Sequence, residues 1–219
     1  MSVDVERIVR SVDHTLLKVD ASWPQIQALC DDAIRYGTAS VCIPPAYAEK
    51  AVEYMDGRIP VCVVIGFPNG YSTTASKIFE AQDAIRCGVS EVDMVINVGW
   101  VKSGFYDKVL DEIREIKKAV GDKVLKVIIE TCLLTEDEKA KMCEIVTQSG
   151  ADYIKTSTGF STGGATLDDV KLMRRLCGAN VKVKAAGGIH TLEEAQAFLD
   201  AGADRLGTSS VIAALKAVN

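Results

Sequence analysis

Short runs of apolar and β-branched residues return along this chain at intervals of roughly 20–30 residues, about one strand–helix unit each. Eight runs read as strands: Val12–His14, Ala39–Ile43, Val61–Ile65, Glu91–Ile96, Leu125–Glu130, Tyr153–Lys155, Val181–Ala185 and Arg205–Gly207. Amphipathic segments with start and stop signals fill the gaps: Trp23–Tyr36, Thr73–Cys87, Phe105–Val120, Thr135–Ser149, Thr166–Cys177, Thr191–Ala201 and Ser210–Ala217. Two of them open as capping boxes, Thr135-Glu-Asp-Glu and Thr191-Leu-Glu-Glu, and most stop at a glycine. Gly-Ala/Val turns at Gly88, Gly150 and Gly202 each close a helix and launch the next strand. With a short N-terminal helix at Val3–Arg10, the pattern predicts an α/β fold, a (β/α)8 TIM barrel, as one catalytic domain over residues 1–219. An open doubly wound sheet is the competing architecture, but no GxGxxG follows the first strand.

Composition narrows the partners. A net charge of -5 disfavours a nucleic-acid surface, while a small anion remains possible because helix N-termini hold phosphate without a basic protein. No apolar stretch reaches a membrane span. The seven cysteines are odd in number and show no CxxC pair, and Met1–Arg10 lacks the apolar segment of a signal peptide. The expectation is a cytoplasmic enzyme with reduced, mostly packed cysteines. Two histidines and scattered cysteines give no metal-ligand spacing, so neither metal nor cofactor is expected.

Four strand runs carry ionisable residues inside apolar sequence: Asp93, Lys126, Lys155 and Lys184. Unpaired charge is costly on either face of a barrel strand. One such lysine reads as a frayed strand end with its amine in water. Four residues on four successive strands read instead as a cluster at the end of the barrel where chemistry sits. An amine that attacks a carbonyl must be neutral, and a neighbouring ammonium or partial burial favours that form. Lys155 and Lys184, on adjacent strands about 4.8 Å apart, therefore suit Schiff-base chemistry, although their coupling leaves open which titrates first. Asp93 suits general acid/base work on water or a substrate hydroxyl, and would oppose the shift if equally close to both amines. Lys182 shares the parity of Lys184 and is assigned to a solvated strand start.

The turns after strands six, seven and eight are rich in glycine and hydroxyls: Thr156-Ser-Thr-Gly-Phe-Ser-Thr-Gly-Gly, Ala185-Ala-Gly-Gly-Ile-His and Gly207-Thr-Ser-Ser. Barrel phosphate sites form after strands seven and eight. Gly159, Gly187, Gly188, Ser209 and Ser210 are the expected phosphate anchors, and the substrate is expected to be a phosphorylated carbonyl compound. Asp13, Cys42, Lys126, Thr156 and Thr158 are candidate pocket residues. Asp13 could orient a hydroxyl or join the relay, whereas packing is the stronger reading for Cys42. His14 and Glu130 end strands; Glu130 is a candidate to support a lysine, and each has a surface role as alternative.

These motifs together resemble the deoxyribose-phosphate aldolase family. The resemblance runs from Asp13-His-Thr-Leu-Leu through Ser40-Val-Cys, Gly66-Phe-Pro, Glu91-Val-Asp-Met-Val-Ile-Asn and Lys126-Val-Ile-Ile-Glu-Thr to Gly207-Thr-Ser-Ser. Lys155-Thr-Ser-Thr-Gly-Phe and Lys184-Ala-Ala-Gly-Gly are its most specific parts. It implies reversible cleavage of 2-deoxy-D-ribose 5-phosphate to D-glyceraldehyde 3-phosphate and acetaldehyde. Lys155 matches the Schiff-base lysine, Lys184 the lysine that perturbs it, Asp93 the relay aspartate and Lys126 a polar pocket partner. A homodimer is also implied, with a monomer left open. The chain departs from the family pattern at Phe160, where some members carry lysine, and at His190, where arginine is usual. It also has Pro44 where asparagine is common, and ends at Asn219 without the tyrosine-ended tail of some members. A phosphosugar isomerase or other non-covalent phosphate-binding barrel is the competing function; it would not require Lys155 beside Lys184. A catalytically dead barrel should have lost one of the three central residues.

Overall fold

The computed structural model describes residues 3–218. Among them, eight parallel strands pair in chain order and close into a barrel, with the first bonded to the last. In sequence the elements are α1 (Val5–Ser11), β1 (Val12–Thr15), α2 (Trp23–Tyr36), β2 (Ser40–Ile43), α3 (Ala48–Met55), β3 (Val61–Ile65), α4 (Thr74–Arg86), β4 (Glu91–Val95), α5 (Val98–Lys102) and α6 (Tyr106–Val120). There follow β5 (Val124–Ile128), α7 (Glu136–Ser149), β6 (Tyr153–Lys155), α8 (Leu167–Leu176), β7 (Lys182–Ala186), α9 (Leu192–Asp200), β8 (Arg205–Thr208) and α10 (Val211–Val218).

All eight expected strands form, most with ends shifted by a residue or two. The largest change is on β5, which stops at Ile128, so that Glu130 lies beyond the strand in left-handed backbone at φ 54°. Two helices escape the sequence reading. α3 follows a 3-10 turn at Pro45–Tyr47 and has no side-chain cap, so the proline pair reads as a loop. α5 is five residues long, shorter than a recognisable amphipathic period, and is started by Asn97 accepting from the Trp100 amide. The end at Asn219 lies outside the described residues, as does Met1 in the N-terminal reading.

Strand alternation divides the barrel into two environments. Outward residues such as Val41, Val63, Val92, Val127, Ile154, Val183 and Leu206 are buried beneath the helices and form the apolar core. Their inward neighbours include Asp13, Ser40, Asp93, Lys126, Lys155 and Lys184, none more than 3% exposed. Apolar burial between sheet and helices thus holds the barrel closed, and its interior is left to a polar cluster. No helix among the described residues is long and apolar enough to cross a membrane.

Candidate active site

Pairing register brings the charged residues into contact. Asp93 lies opposite Lys126, Lys155 opposite Lys184, and Lys184 opposite Arg205 on successive strands. Asp93 is the hub. Its Oδ2 accepts from Lys155 Nζ and Lys184 Nζ, each at 2.7 Å. Its Oδ1 accepts from Lys126 Nζ at 2.8 Å and from the Cys62 thiol at 3.1 Å. Beneath it, Asp13 Oδ2 sits 2.5 Å from Lys184 Nζ, while Asp13 Oδ1 accepts from Ser40 Oγ at 2.7 Å and from Arg205 at 2.5 Å. Glu91 closes the network, 2.5 Å from Lys126 and 3.3 Å from Arg205. Gly207 leaves the necessary room: a Cβ there would sit 3.1 Å from Lys184 Cε.

Burial alone would neutralise each of these groups, and opposite charge overcomes it. For Asp93, the cost of burial is outweighed by Lys126, Lys155 and Lys184, and its carboxyl is held well below the usual range. Asp13 is lowered in the same way, against burial, by Lys184, Lys126 and Arg205. Lys184 is raised against burial by Asp13 and Asp93, and Lys126 against burial by Asp93 and its other anionic neighbours. Lys126 and Lys184 are thus fixed as ammonium ions.

A cavity of about 290 Å³ opens above the cluster at the C-terminal ends of the strands. Lys155 lines it, and Lys126 and Lys184 do not. All five expected phosphate anchors, Gly159, Gly187, Gly188, Ser209 and Ser210, share its wall with Thr158. The loops after β6 and β7 pack backbone to backbone, since a Cβ at Gly164 would fall 2.4 Å from the Gly187 carbonyl oxygen. Of the remaining pocket candidates, Asp13, Lys126, Cys42 and Thr156 are fully buried behind the wall. Thr156 ties β6 to β7, accepting from the Ala186 amide at 3.0 Å and donating to its carbonyl at 3.2 Å. Cys42 lies opposite Cys62; its thiol is lowered by the hydrogen bond with Cys62, whereas burial and Cys42 push the Cys62 thiol well up. The ligand atoms of Cys42, Cys62 and Asp93 lie within 4.8 Å of one another, although lysines already occupy both Asp93 oxygens.

Some placements depart from the sequence reading. Glu130 pairs with no lysine among the described residues. It is buried, accepts from the Thr158 amide at 3.2 Å and hydroxyl at 2.5 Å, and so braces the turn after Lys155. His14 is buried rather than solvent-facing, and burial pushes its imidazole down despite Asp32 nearby. Lys182 is exposed at the start of β7, as expected, and its ammonium stands 5.6 Å from the Tyr153 ring centroid. Glu91 and Arg205 were missed. Each lies two residues before an inward position, Asp93 and Gly207, so alternation could have found them. Lys18 and His190 also line the cavity, and Lys18 stands in a loop where no periodicity marks it.

Residues 7–217 match the family model described as DeoC/LacD family aldolase. The chain is 59% identical over 212 residues to the deoxyribose-phosphate aldolase of Clostridioides difficile strain 630, covering 97% of each chain. It is 57% identical over 214 residues to that of Streptococcus agalactiae serotype V, covering 98% of this chain and 96% of the relative. The tetrameric deoxyribose phosphate aldolase of Aeropyrum pernix superposes with a TM-score of 0.88 at 30% identity, covering 99% of this chain and 94% of that one.

Proposed function

Because the chain belongs to the DeoC/LacD aldolase family, we propose that it reversibly cleaves 2-deoxy-D-ribose 5-phosphate to D-glyceraldehyde 3-phosphate and acetaldehyde through an imine on Lys155. The observation that carries the assignment is that, of the three clustered lysines, Lys155 alone lines the cavity. Among the described residues it has one carboxylate neighbour, Asp93, whereas Lys184 has two and Lys126 three. Charge counting supports the same choice. Lys126, Lys155, Lys184 and Arg205 face Asp13, Glu91 and Asp93. Four bases meet three acids, and the network balances once Lys155 is converted to a neutral carbinolamine.

In this reading Lys155 Nζ attacks the C1 aldehyde of the open-chain sugar and the carbinolamine loses water to an iminium. Removal of the C3-hydroxyl proton sends the C2–C3 bonding pair into the iminium, releasing glyceraldehyde 3-phosphate and leaving an enamine. Protonation at C2 and hydrolysis free acetaldehyde and Lys155. Asp93, held ionised, accepts and passes protons, directly or through water, rather than resting as an acid. Lys184 keeps positive charge beside the reacting nitrogen. Hydroxyls and amides of the loops after β6, β7 and β8 orient the phosphate, whose remote binding positions C1 over the amine. The chain acts as a single domain in a reducing cytoplasm, a reading supported by its exposed free Cys132, and assembles as a homodimer, which light scattering tests. For function, the test is release of glyceraldehyde 3-phosphate from 2-deoxyribose 5-phosphate, coupled to a reporter enzyme. Isomerisation of the sugar phosphate without cleavage would instead favour the non-covalent alternative.

A further inference from the structure

At the phosphate end of the cavity, positions 160 and 190 carry no permanent positive charge. Position 160 is phenylalanine, turned edge-on against Phe67 with ring centroids 5.3 Å apart, and position 190 is histidine, which carries no permanent charge. Among the described residues the cavity wall nevertheless contains no carboxylate, although the chain as a whole carries a net charge of -5.

Lys18 stands at this rim, on the loop after β1, in the same wall as Gly188, Ser209 and Ser210. Its ammonium has no carboxylate within ion-pair distance among the described residues, in contrast to the lysines of the cluster. The loop that carries it is anchored on both sides: the Leu16 amide donates to the Cys42 carbonyl at 3.0 Å, and the Ala21 amide to the Lys18 carbonyl at 3.0 Å. The side chain is exposed while its backbone is held, so it can close on an anion without reordering the loop.

We infer that Lys18 is the phosphate-binding cation of this enzyme, supplying from the first strand–helix loop the charge that positions 160 and 190 do not provide. The inference rests on the aldolase reading above. Phosphate would be gripped by amides and hydroxyls of the loops after β7 and β8 and by the ammonium of Lys18, on the loop of the neighbouring strand β1. A charge-assisted contact of this kind is worth about tenfold or more in affinity. Lys18 is a specificity residue and does not touch the reacting carbon.

The test compares wild type, Lys18→Met and Lys18→Arg on 2-deoxyribose 5-phosphate and on unphosphorylated 2-deoxyribose, with inorganic phosphate as competitive inhibitor. Expected for Lys18→Met is a rise of about tenfold or more in KM for the phosphorylated sugar, with kcat within about twofold. The preference for the phosphorylated over the unphosphorylated sugar, as a ratio of kcat/KM values, falls by the same factor. The inhibition constant of inorganic phosphate rises in parallel, and Lys18→Arg restores most of the loss. A ratio within about twofold of wild type overturns the inference, whether both activities fall together or neither does. Wild type that releases no glyceraldehyde 3-phosphate overturns the aldolase reading itself, a result distinguishable from failure at Lys18.

Discussion

Asp93 binds three lysines on two oxygens, so its charge both holds the cluster together and serves the reaction. Asp93→Asn keeps the shape and removes the charge. It is expected to lower kcat by about 10²–10⁴-fold and to destabilise the fold, since buried ammonium ions lose their shared partner. Steady-state kinetics and urea unfolding on the same preparation check both, and wild-type kcat would refute the relay role. Cys42→Ala, by contrast, should keep kcat/KM within about threefold, because Cys42 lies behind the cavity wall. At this scale Asp93, Lys126, Lys155 and Lys184 were legible because each is a charge set within an apolar strand run, whereas Glu91 and Arg205, at the starts of β4 and β8, read as strand ends. Lys18 was not legible, since a lysine in a loop is unremarkable until the fold folds that loop over the cavity.

Between elements, α4 and α6 are joined by a buried ion pair. Lys77 Nζ donates to Glu112 at 2.9 Å and to the Val95 carbonyl at 2.8 Å, beside the end of β4. Burial dominates both partners, lowering Lys77 and raising Glu112. Lys77→Met alone is therefore expected to cost about 3–5 kcal/mol by stranding Glu112, whereas Lys77→Met with Glu112→Leu should recover most of that. Denaturant unfolding of the single and double variants decides, and additive losses would contradict the account. The sequence reveals neither partner, because two charges on separate amphipathic helices look solvated until the helices pack. Element identity was clear where periodicity ran long, and the capping boxes at Thr135 and Thr191 form as expected. It failed at α3 and α5, short helices attached to proline and asparagine turns, and at Glu130, whose backbone leaves the strand to brace Thr158.

For the whole molecule, the buried network links stability to pH. Asp13 and Asp93 are lowered from an ordinary value of 3.8, so their contribution is complete above that pH and is lost as pH falls toward the depressed folded values. Lys126 and Lys184 are raised from 10.5, so theirs is complete below that pH and is lost as pH rises through the folded values. Tm should therefore hold a plateau from weakly acidic to weakly alkaline pH and fall at both extremes. Asp13→Asn should flatten the acidic limb, and an unchanged limb in that variant would contradict the linkage. Barrel closure itself was legible from the eightfold alternation, since parallel strands joined by helices have few ways to bury both faces.

An imine on Lys155 leaves a covalent mark when it is trapped by reduction. The protein is incubated with acetaldehyde, reduced with borohydride and mapped by peptide mass spectrometry. The expected result is a single ethyl group on Lys155, blocked by prior incubation with 2-deoxyribose 5-phosphate and borohydride and absent from Lys155→Arg. No adduct, or an adduct on Lys126 or Lys184 in place of Lys155, would contradict it.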